Sequence, residues 1–338
     1  MAIALVFAQV GREEAQPGIL FVHGAWHGAW CWEDHFVPYF ANRGWRVKAF
    51  NLRAHGPTPK ARRGLRWKRI ADYVEDVAAA AAGFDQPPVV VGHSMGGLVV
   101  QKYLETHSAP AAVLLASAPP RGALATSLRF LLRHPLKFLK TNLLLSLWPI
   151  VETPELAREM FLPESAPDSE ARELLGRLQD ESYLAYLDMM VFALPRPGAV
   201  QRLPMLVLGG GKDRVFTPAE VRATAEAYSA EVEVFPDLAH DLMLGPGWQP
   251  VAARIESWLR AALEIGVHVD VPLGTGAAVG PDVGEVPEDH GSSGGDREAQ
   301  QDLAIGEVGE HLVDAAVEDG PAGQLKPVHK RRKRGKEG

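Results

Sequence analysis

The segment Val89-Val90-Val91-Gly92-His93-Ser94-Met95-Gly96-Gly97-Leu98 constrains this chain more than any other. Its β-branched run is a strand signal, and residues 98–106 follow with the spacing of a helix. The chain must therefore turn from strand to helix at Ser94 within a few residues. Such a turn forces its central residue into a strained backbone conformation, and glycines two positions to either side remove side chains that would collide with it. Ser94 then protrudes at a helix N-terminus. The N–H of Met95 has no partner one turn back, and the helix dipole adds to its ability to receive a developing oxyanion.

Around this turn, short apolar runs alternate with amphipathic segments. The runs are Ile19-Leu20-Phe21-Val22, Arg46-Val47-Lys48-Ala49-Phe50, Val89-Val90-Val91 and Ala112-Val113-Leu114-Leu115. Residues 33–43 and 70–83 carry apolar positions at helical spacing between them. That alternation predicts a mostly parallel sheet with flanking helices. From residue 119 to about 200 the pattern becomes helical and proline-broken, with segments 128–147, 154–160 and 169–192. This stretch reads as an inserted helical cap. Strand signals resume at Met205-Leu206-Val207-Leu208 and Val232-Glu233-Val234-Phe235, around a helix over 218–228 with Thr217 at its N-cap and Pro218 at N1. A last amphipathic helix covers 249–264. The expected divisions are thus a core over 1–118 and 201–264, a cap over 119–200, and a disordered Gly-, Asp- and Glu-rich tail over 265–338.

Composition removes several function classes. The net charge of −7 gives no general attraction to nucleic acid, and the basic run Lys330-Arg331-Arg332-Lys333-Arg334 reads as a solvated terminus. The opening segment, residues 1–8, lacks a basic n-region and reads as a strand. The longest apolar stretch, residues 143–151, is about half of the ~20 residues a spanning helix needs. A cytoplasmic location is expected. One cysteine, Cys31, cannot build a disulfide or a cysteine-rich metal site within the chain, and it reads as a buried small side chain. His23 and His27 lack a third ligand at metal spacing. No cofactor and no metal are expected.

A serine hydroxyl is a poor nucleophile near neutral pH. It needs a base to take its proton and a carboxylate to orient that base. Here the strand, the turn and the helix resemble the α/β-hydrolase superfamily, particularly its esterase and lipase branch, over about residues 17–262. The resemblance implies the order serine, acid, histidine. Asp213, in Gly211-Lys212-Asp213-Arg214 after one late strand, matches the acid position, and His240, in Leu238-Ala239-His240-Asp241 after the next, matches the base. Asp237 and Asp241 rank below Asp213, because adjacency along a loop does not aim a carboxylate at the imidazole. The loop His23-Gly24-Ala25-Trp26-His27-Gly28-Ala29-Trp30 matches the family's second oxyanion donor, which places that role on the Ala25 N–H beside that of Met95. His23 and Gly24 are then supporting loop residues, Trp26 and Trp30 packing or pocket wall, and His55 and His93 structural.

The same loop resembles plant hydroxynitrile lyases and methyl esterases. Those lyases carry threonine after the first histidine and lysine after the catalytic one, where this chain has Gly24 and Asp241. The esterase half of that comparison is the better match. In the cap, Leu128, Phe130, Leu131, Leu132, Leu136, Phe138 and Leu139 form an apolar face fringed by Arg129, Arg133, Lys137 and Lys140. Packing of the cap onto the core accounts for such a face; so does a pocket for an apolar acyl or aryl ester, and a membrane-surface role is a third possibility. The expected function is hydrolysis of a small-molecule carboxylic ester. Alternatives on the same fold are a ligand-binding receptor, a cofactor-free perhydrolase, an acyltransferase or a lyase.

Overall fold

The computed structural model describes residues 5–8, 16–58 and 61–269. Within them lie seven strands, β1 (Leu5–Ala8), β2 (Ile19–Val22), β3 (Val47–Phe50), β4 (Val89–His93), β5 (Ala112–Leu115), β6 (Met205–Gly210) and β7 (Glu231–Phe235). They form one sheet in the order β1-β3-β2-β4-β5-β6-β7. β1 runs antiparallel to β3, and all other pairs are parallel. After β2 the chain steps out to β3 and returns to the other side of β2 as β4. The crevice beyond the carboxyl ends of β2 and β4 is therefore a topological switch point, where open α/β sheets place ligands.

Helices cover both faces. α1 (Trp30–Glu33), α2 (Phe36–Ala41) and the last helix pack on one face; α3 (Ile70–Ala81), α4 (Met95–Tyr103) and the next-to-last helix pack on the other. Along β2, Ile19 and Phe21 point to the first face while Leu20 and Val22 point to the second. The same alternation separates Val89 and Val91 from Val90. This two-sided burial is why the strands read as unbroken apolar runs.

Between β5 and β6 come α5 (Leu124–Arg133), α6 (Pro135–Leu144), α7 (Pro154–Phe161), α8 (Asp168–Arg177) and α9 (Tyr183–Leu187), the last continuing as a π-helical turn over Asp188–Phe192. After β6 come α10 (Pro218–Tyr228) and, beyond β7, α11 (Trp248–Val269). Thr217 caps α10 by accepting from the Glu220 N–H while Glu220 reaches back to the Thr217 N–H. The edge strand β7 turns Glu231 and Glu233 toward Arg254 and Trp258 of α11, which blunts the open edge.

Several helical segments divide or shift relative to their periodicity, for local reasons. Residues 33–43 divide into α1 and α2, because Pro38 has no N–H to return to residue 34. Residues 128–147 divide at His134, held at φ −134° and ψ 62° by the following Pro135. Residues 169–192 divide where Leu178 turns extended, and Gln179, Glu181 and Ser182 bond to Gly56, Tyr73 and the Arg66 carbonyl instead of continuing the helix. α4 begins at Met95 and not near residue 98, because the reversal is complete in Ser94 alone. α11 runs five residues past its expected end. The tail expected to be disordered, with its basic run, falls from residue 270 outside the described residues.

The cap's apolar face is divided in its use. Phe130 is buried and Phe138 partly so, whereas Leu132, Leu136 and Leu143 are 75%, 80% and 74% exposed. Packing onto the core thus accounts for the phenylalanines and not for the outer leucines.

Phe21 is fully buried and stacks on Trp32 with ring centroids 4.9 Å apart, with Phe36 and Phe40 edge-on or tilted beside it. Phe21→Ala is expected to lower stability by about 3–5 kcal/mol. Urea unfolding checks this as a lower midpoint at an unchanged slope.

Candidate active site

Ser94 sits between the last residue of β4 and the first of α4 with φ 54° and ψ −119°, a conformation that costs on the order of 1–3 kcal/mol for a residue with a side chain. The turn is tight because α4 starts against the end of β2. A Cβ on Gly96 would overlap the carbonyl oxygens of Val22 and His23. Glycine at that position lets the helix N-terminus close on the strand.

The Ser94 Oγ lies 2.9 Å from Nε2 of His240, and His240 Nδ1 lies 2.8 Å from Oδ2 of Asp213. With Nδ1–H donating to the carboxylate, Nε2 is free to accept from the serine hydroxyl. The other Asp213 oxygen accepts from the N–H groups of Val215 and Phe216, at 2.7 and 3.0 Å, so the carboxylate is fixed in the turn after β6. All three side chains are buried. Burial acts to lower the His240 pKa, but the charge and hydrogen bond of Asp213, with Asp241 behind, overcome it and leave the imidazole above its usual value.

Ala25 and Met95 line the cavity above Ser94. The Ala25 N–H donates to no acceptor among the described residues, and Met95 is the first residue of α4. Neither N–H is spent on a hydrogen bond among the described residues. His23 donates from Nδ1 to the Gly24 carbonyl at 2.9 Å and accepts at Nε2 from the Leu52 N–H at 3.1 Å, which ties the loop after β2 to the end of β3. Burial, with His55 nearby, holds its pKa well below the ordinary histidine value. A Cβ on Gly24 would come within 2.8 Å of His93 Nδ1 and 2.9 Å of Ser94 Cβ. No larger residue, threonine included, fits there without a shift.

Beneath these groups is a layer whose connections the sequence did not disclose. Asp241, next to His240, turns its carboxylate the other way, to His27 Nε2 at 3.1 Å, and His27 Nδ1 faces the Ala25 carbonyl at 2.7 Å. His93 donates from Nε2 to the His240 carbonyl at 3.2 Å. The loops carrying Ala25 and His240 are thus joined through buried side chains. Burial acts to raise the Asp241 carboxyl, and the interactions with His27, His93 and His240 hold it below the usual range. Burial and His240 push His93 well down. The only signal in the sequence was adjacency, Asp241 beside His240 and His93 beside Ser94. Cys31 is fully buried, and burial together with Asp241 pushes its thiol pKa well up. It has the character of a small core side chain.

The cavity above Ser94 is narrow, with about 60 Å³ open to a water-sized sphere, and almost wholly apolar. Phe130, Phe138, Ile150, Met160, Tyr186 and Met189 of the cap wall it, with Val215 and Phe216 below. Its few hydroxyls are engaged: Tyr186 donates to Ser127 Oγ at 3.0 Å, and Thr126 donates to the Val215 carbonyl at 2.7 Å.

Because Asp241 adds negative charge behind His240, Asp241→Asn is expected to lower the midpoint at which the His240 ring titrates. In the parent that midpoint is expected above the ordinary histidine value, through Asp213 first and Asp241 second. NMR of the ring protons against pH measures both. Stability held by the raised group is present at low pH and lost as pH climbs through the folded-state value.

Several known proteins are similar to this chain. The chain is 27% identical over 250 residues to a monoacylglycerol lipase of Mycolicibacterium smegmatis, covering 67% of this chain and 81% of that one. It is 36% identical over 114 residues to a probable esterase, PIR7A, of Oryza sativa subsp. indica, of which it spans 41%. Among solved structures, the monoacylglycerol lipase of Paleococcus ferrophilus superposes with a TM-score of 0.58 at 19% identity, over 78% of this chain and all of that one. Residues 19–254 match the profile of the alpha/beta hydrolase family, and the chain, with its mostly parallel sheet and helices on both faces, belongs to that family.

Proposed function

We propose that the chain hydrolyses carboxylic esters through an acyl-enzyme on Ser94. The observation that carries the reading is the continuous hydrogen-bonded line from Ser94 through His240 to Asp213, set beneath an apolar cavity. Esterases and lipases among the relatives support the reaction class. In the proposed cycle, Ser94 Oγ attacks the ester carbonyl while its proton passes to His240 Nε2. The carbonyl oxygen, now an anion, takes hydrogen bonds from the Ala25 and Met95 N–H groups. The tetrahedral species collapses, the C–O bond breaks, and the alcohol leaves with the proton from His240. Water then attacks the acyl group with His240 again as base, and Ser94 leaves with the returned proton.

Asp213 stabilises the imidazolium of each transfer, and its fixed position keeps Nδ1 as the donor. Gly24 in place of threonine and Asp241 in place of lysine support hydrolysis over lyase chemistry, since the charged groups acting on His240 among the described residues are the carboxylates Asp213 and Asp241 and no cation. The wall favours an apolar acyl or aryl group, because its hydroxyls already have partners and a charged group would find none.

Ser94→Ala is expected to abolish labelling by a fluorophosphonate probe and to lower kcat on p-nitrophenyl esters at least about 10³-fold. Across a panel of acyl groups, neutral apolar chains should exceed chains ending in a carboxylate by at least about tenfold in kcat/KM. A folded parent chain that takes no label, or a preference for charged acyl groups, counts against the reading.

One observation favours a second reading, in which the ester is met at a lipid–water surface. Leu128, Leu132, Leu136, Leu139 and Leu143 are exposed along α5 and α6, the same helices that line the cavity with Phe130 and Phe138. Their basic neighbours are already paired, Arg133 with Glu159 and Lys137 and Lys140 with Glu152, so apolar burial is the attraction. Each leucine transferred contributes about 1.5–3 kcal/mol. Co-sedimentation with zwitterionic vesicles is expected to persist at high salt and to fall at least about tenfold in a Leu132→Ser, Leu136→Ser double variant. No binding by the parent disposes of this second reading.

A further inference from the structure

Trp26 follows the proposed oxyanion donor Ala25, and its backbone lies in the left-handed region at φ 64°, unfavourable for a bulky residue. Each of its hydrogen-bonding groups meets the cap. Its N–H donates to Glu181 Oε2 at 3.4 Å, its carbonyl accepts from the Gln179 N–H at 3.0 Å, and its indole N–H donates to the Leu147 carbonyl at 3.3 Å. Glu181 is itself a buried carboxylate. His55 Nε2 approaches Oε2 at 2.9 Å, and Oε1 accepts from the Tyr73 hydroxyl at 3.0 Å and from the Ser182 N–H. These partners come from the loop after β3, from α3 and from the cap. Removing a buried carboxylate with this many donors strands all of them.

On the acyl-enzyme reading above, we infer that Glu181 is a positioning residue: through the Trp26 N–H it holds the loop so that the Ala25 N–H points at the reacting oxygen. It touches neither substrate nor Ser94. The strained Trp26 conformation requires an external hold, and the cap supplies it from a segment that lies more than 150 residues away in the chain. The cap is on this account part of the oxyanion site as well as the roof of the pocket.

The test compares matched oxoesters and thionoesters in the parent and in Glu181→Ala and Glu181→Gln. Donors set for an oxyanion stabilise a developing C–O⁻ much better than a C–S⁻, so the oxo/thiono ratio of kcat/KM reports the donor geometry. Glu181→Ala is expected to lower kcat on the oxoester by about 10–100-fold, short of the 10²–10³ that follows outright loss of a donor. KM should change little and the oxo/thiono ratio should fall in step with kcat. Glu181→Gln, isosteric with one acceptor fewer, should show the same selective fall to a smaller degree, and it decides the matter if the alanine variant does not fold. In a Trp26→Gly background, where glycine accepts φ 64° without strain, the effect of Glu181→Ala on the ratio should shrink. Any folded Glu181 variant that keeps the ratio within twofold, or that changes Tm or KM alone, overturns the role. A parent chain that takes no fluorophosphonate label and hydrolyses neither ester sinks the acyl-enzyme reading and this role with it.

Discussion

The contact between the first turn of α4 and the end of β2 is the constraint on which the rest of the site depends. Backbone meets backbone there, with Gly96 against the carbonyls of Val22 and His23. That closeness obliges Ser94 to take an unfavourable conformation, and the cost is offset by the fully buried Leu98, Val99 and Val100 on the helix that follows. Burial of such side chains stabilises by about 1.5–3 kcal/mol each, enough to hold a residue in a conformation that costs 1–3. The sheet order then brings the loops after β2, β6 and β7 to the same end. These three loops and the turn after β4, far apart in sequence, meet because parallel strands all present their carboxyl ends on one side.

This explains what was legible before the structure. The apolar runs marked β2, β4, β5 and β6, since a strand buried on both faces has no polar alternation to confuse the signal, and β3 was marked by Val47, Ala49 and Phe50 around Lys48. The turn at Ser94 was legible because glycine spacing and strand–helix context coincide there. Asp213 and His240 were legible only through family order, for nothing local to either residue says that they face each other. Helix limits were less readable, because Pro38, Pro135 and the bonds made by residues 179–182 cut continuous periodicity into pieces. Least readable were His27 with Asp241 and Glu181 with Trp26. Pairs separated by 214 and 155 positions leave no pattern along a single chain.

Two buried carboxylates besides Asp213 therefore bond to the same loop at successive residues. Asp241 reaches the Ala25 carbonyl through His27, and Glu181 receives the Trp26 N–H directly. A buried charge is tolerated only with partners, and each of these has them on more than one element. Asp241 thereby joins two loops of the sheet and Glu181 joins the sheet to the cap, each more specifically than apolar packing could, because donors and acceptors have directions.

The walls of the pocket and the proposed catalytic groups come from different layers. Phe130, Phe138, Tyr186 and Met189 are borne by cap helices, whereas Ser94, Asp213 and His240 are borne by loops of the sheet. Substrate preference and bond-breaking chemistry are consequently separable in heredity: a lineage can rewrite the lining of α5, α6 and α9 by ordinary point substitution and retain the reaction. The stretch around Gln179 and Glu181 is the counterpart in the same cap: it lines no part of the cavity, so on the role inferred for Glu181 a change there alters rate and leaves preference alone.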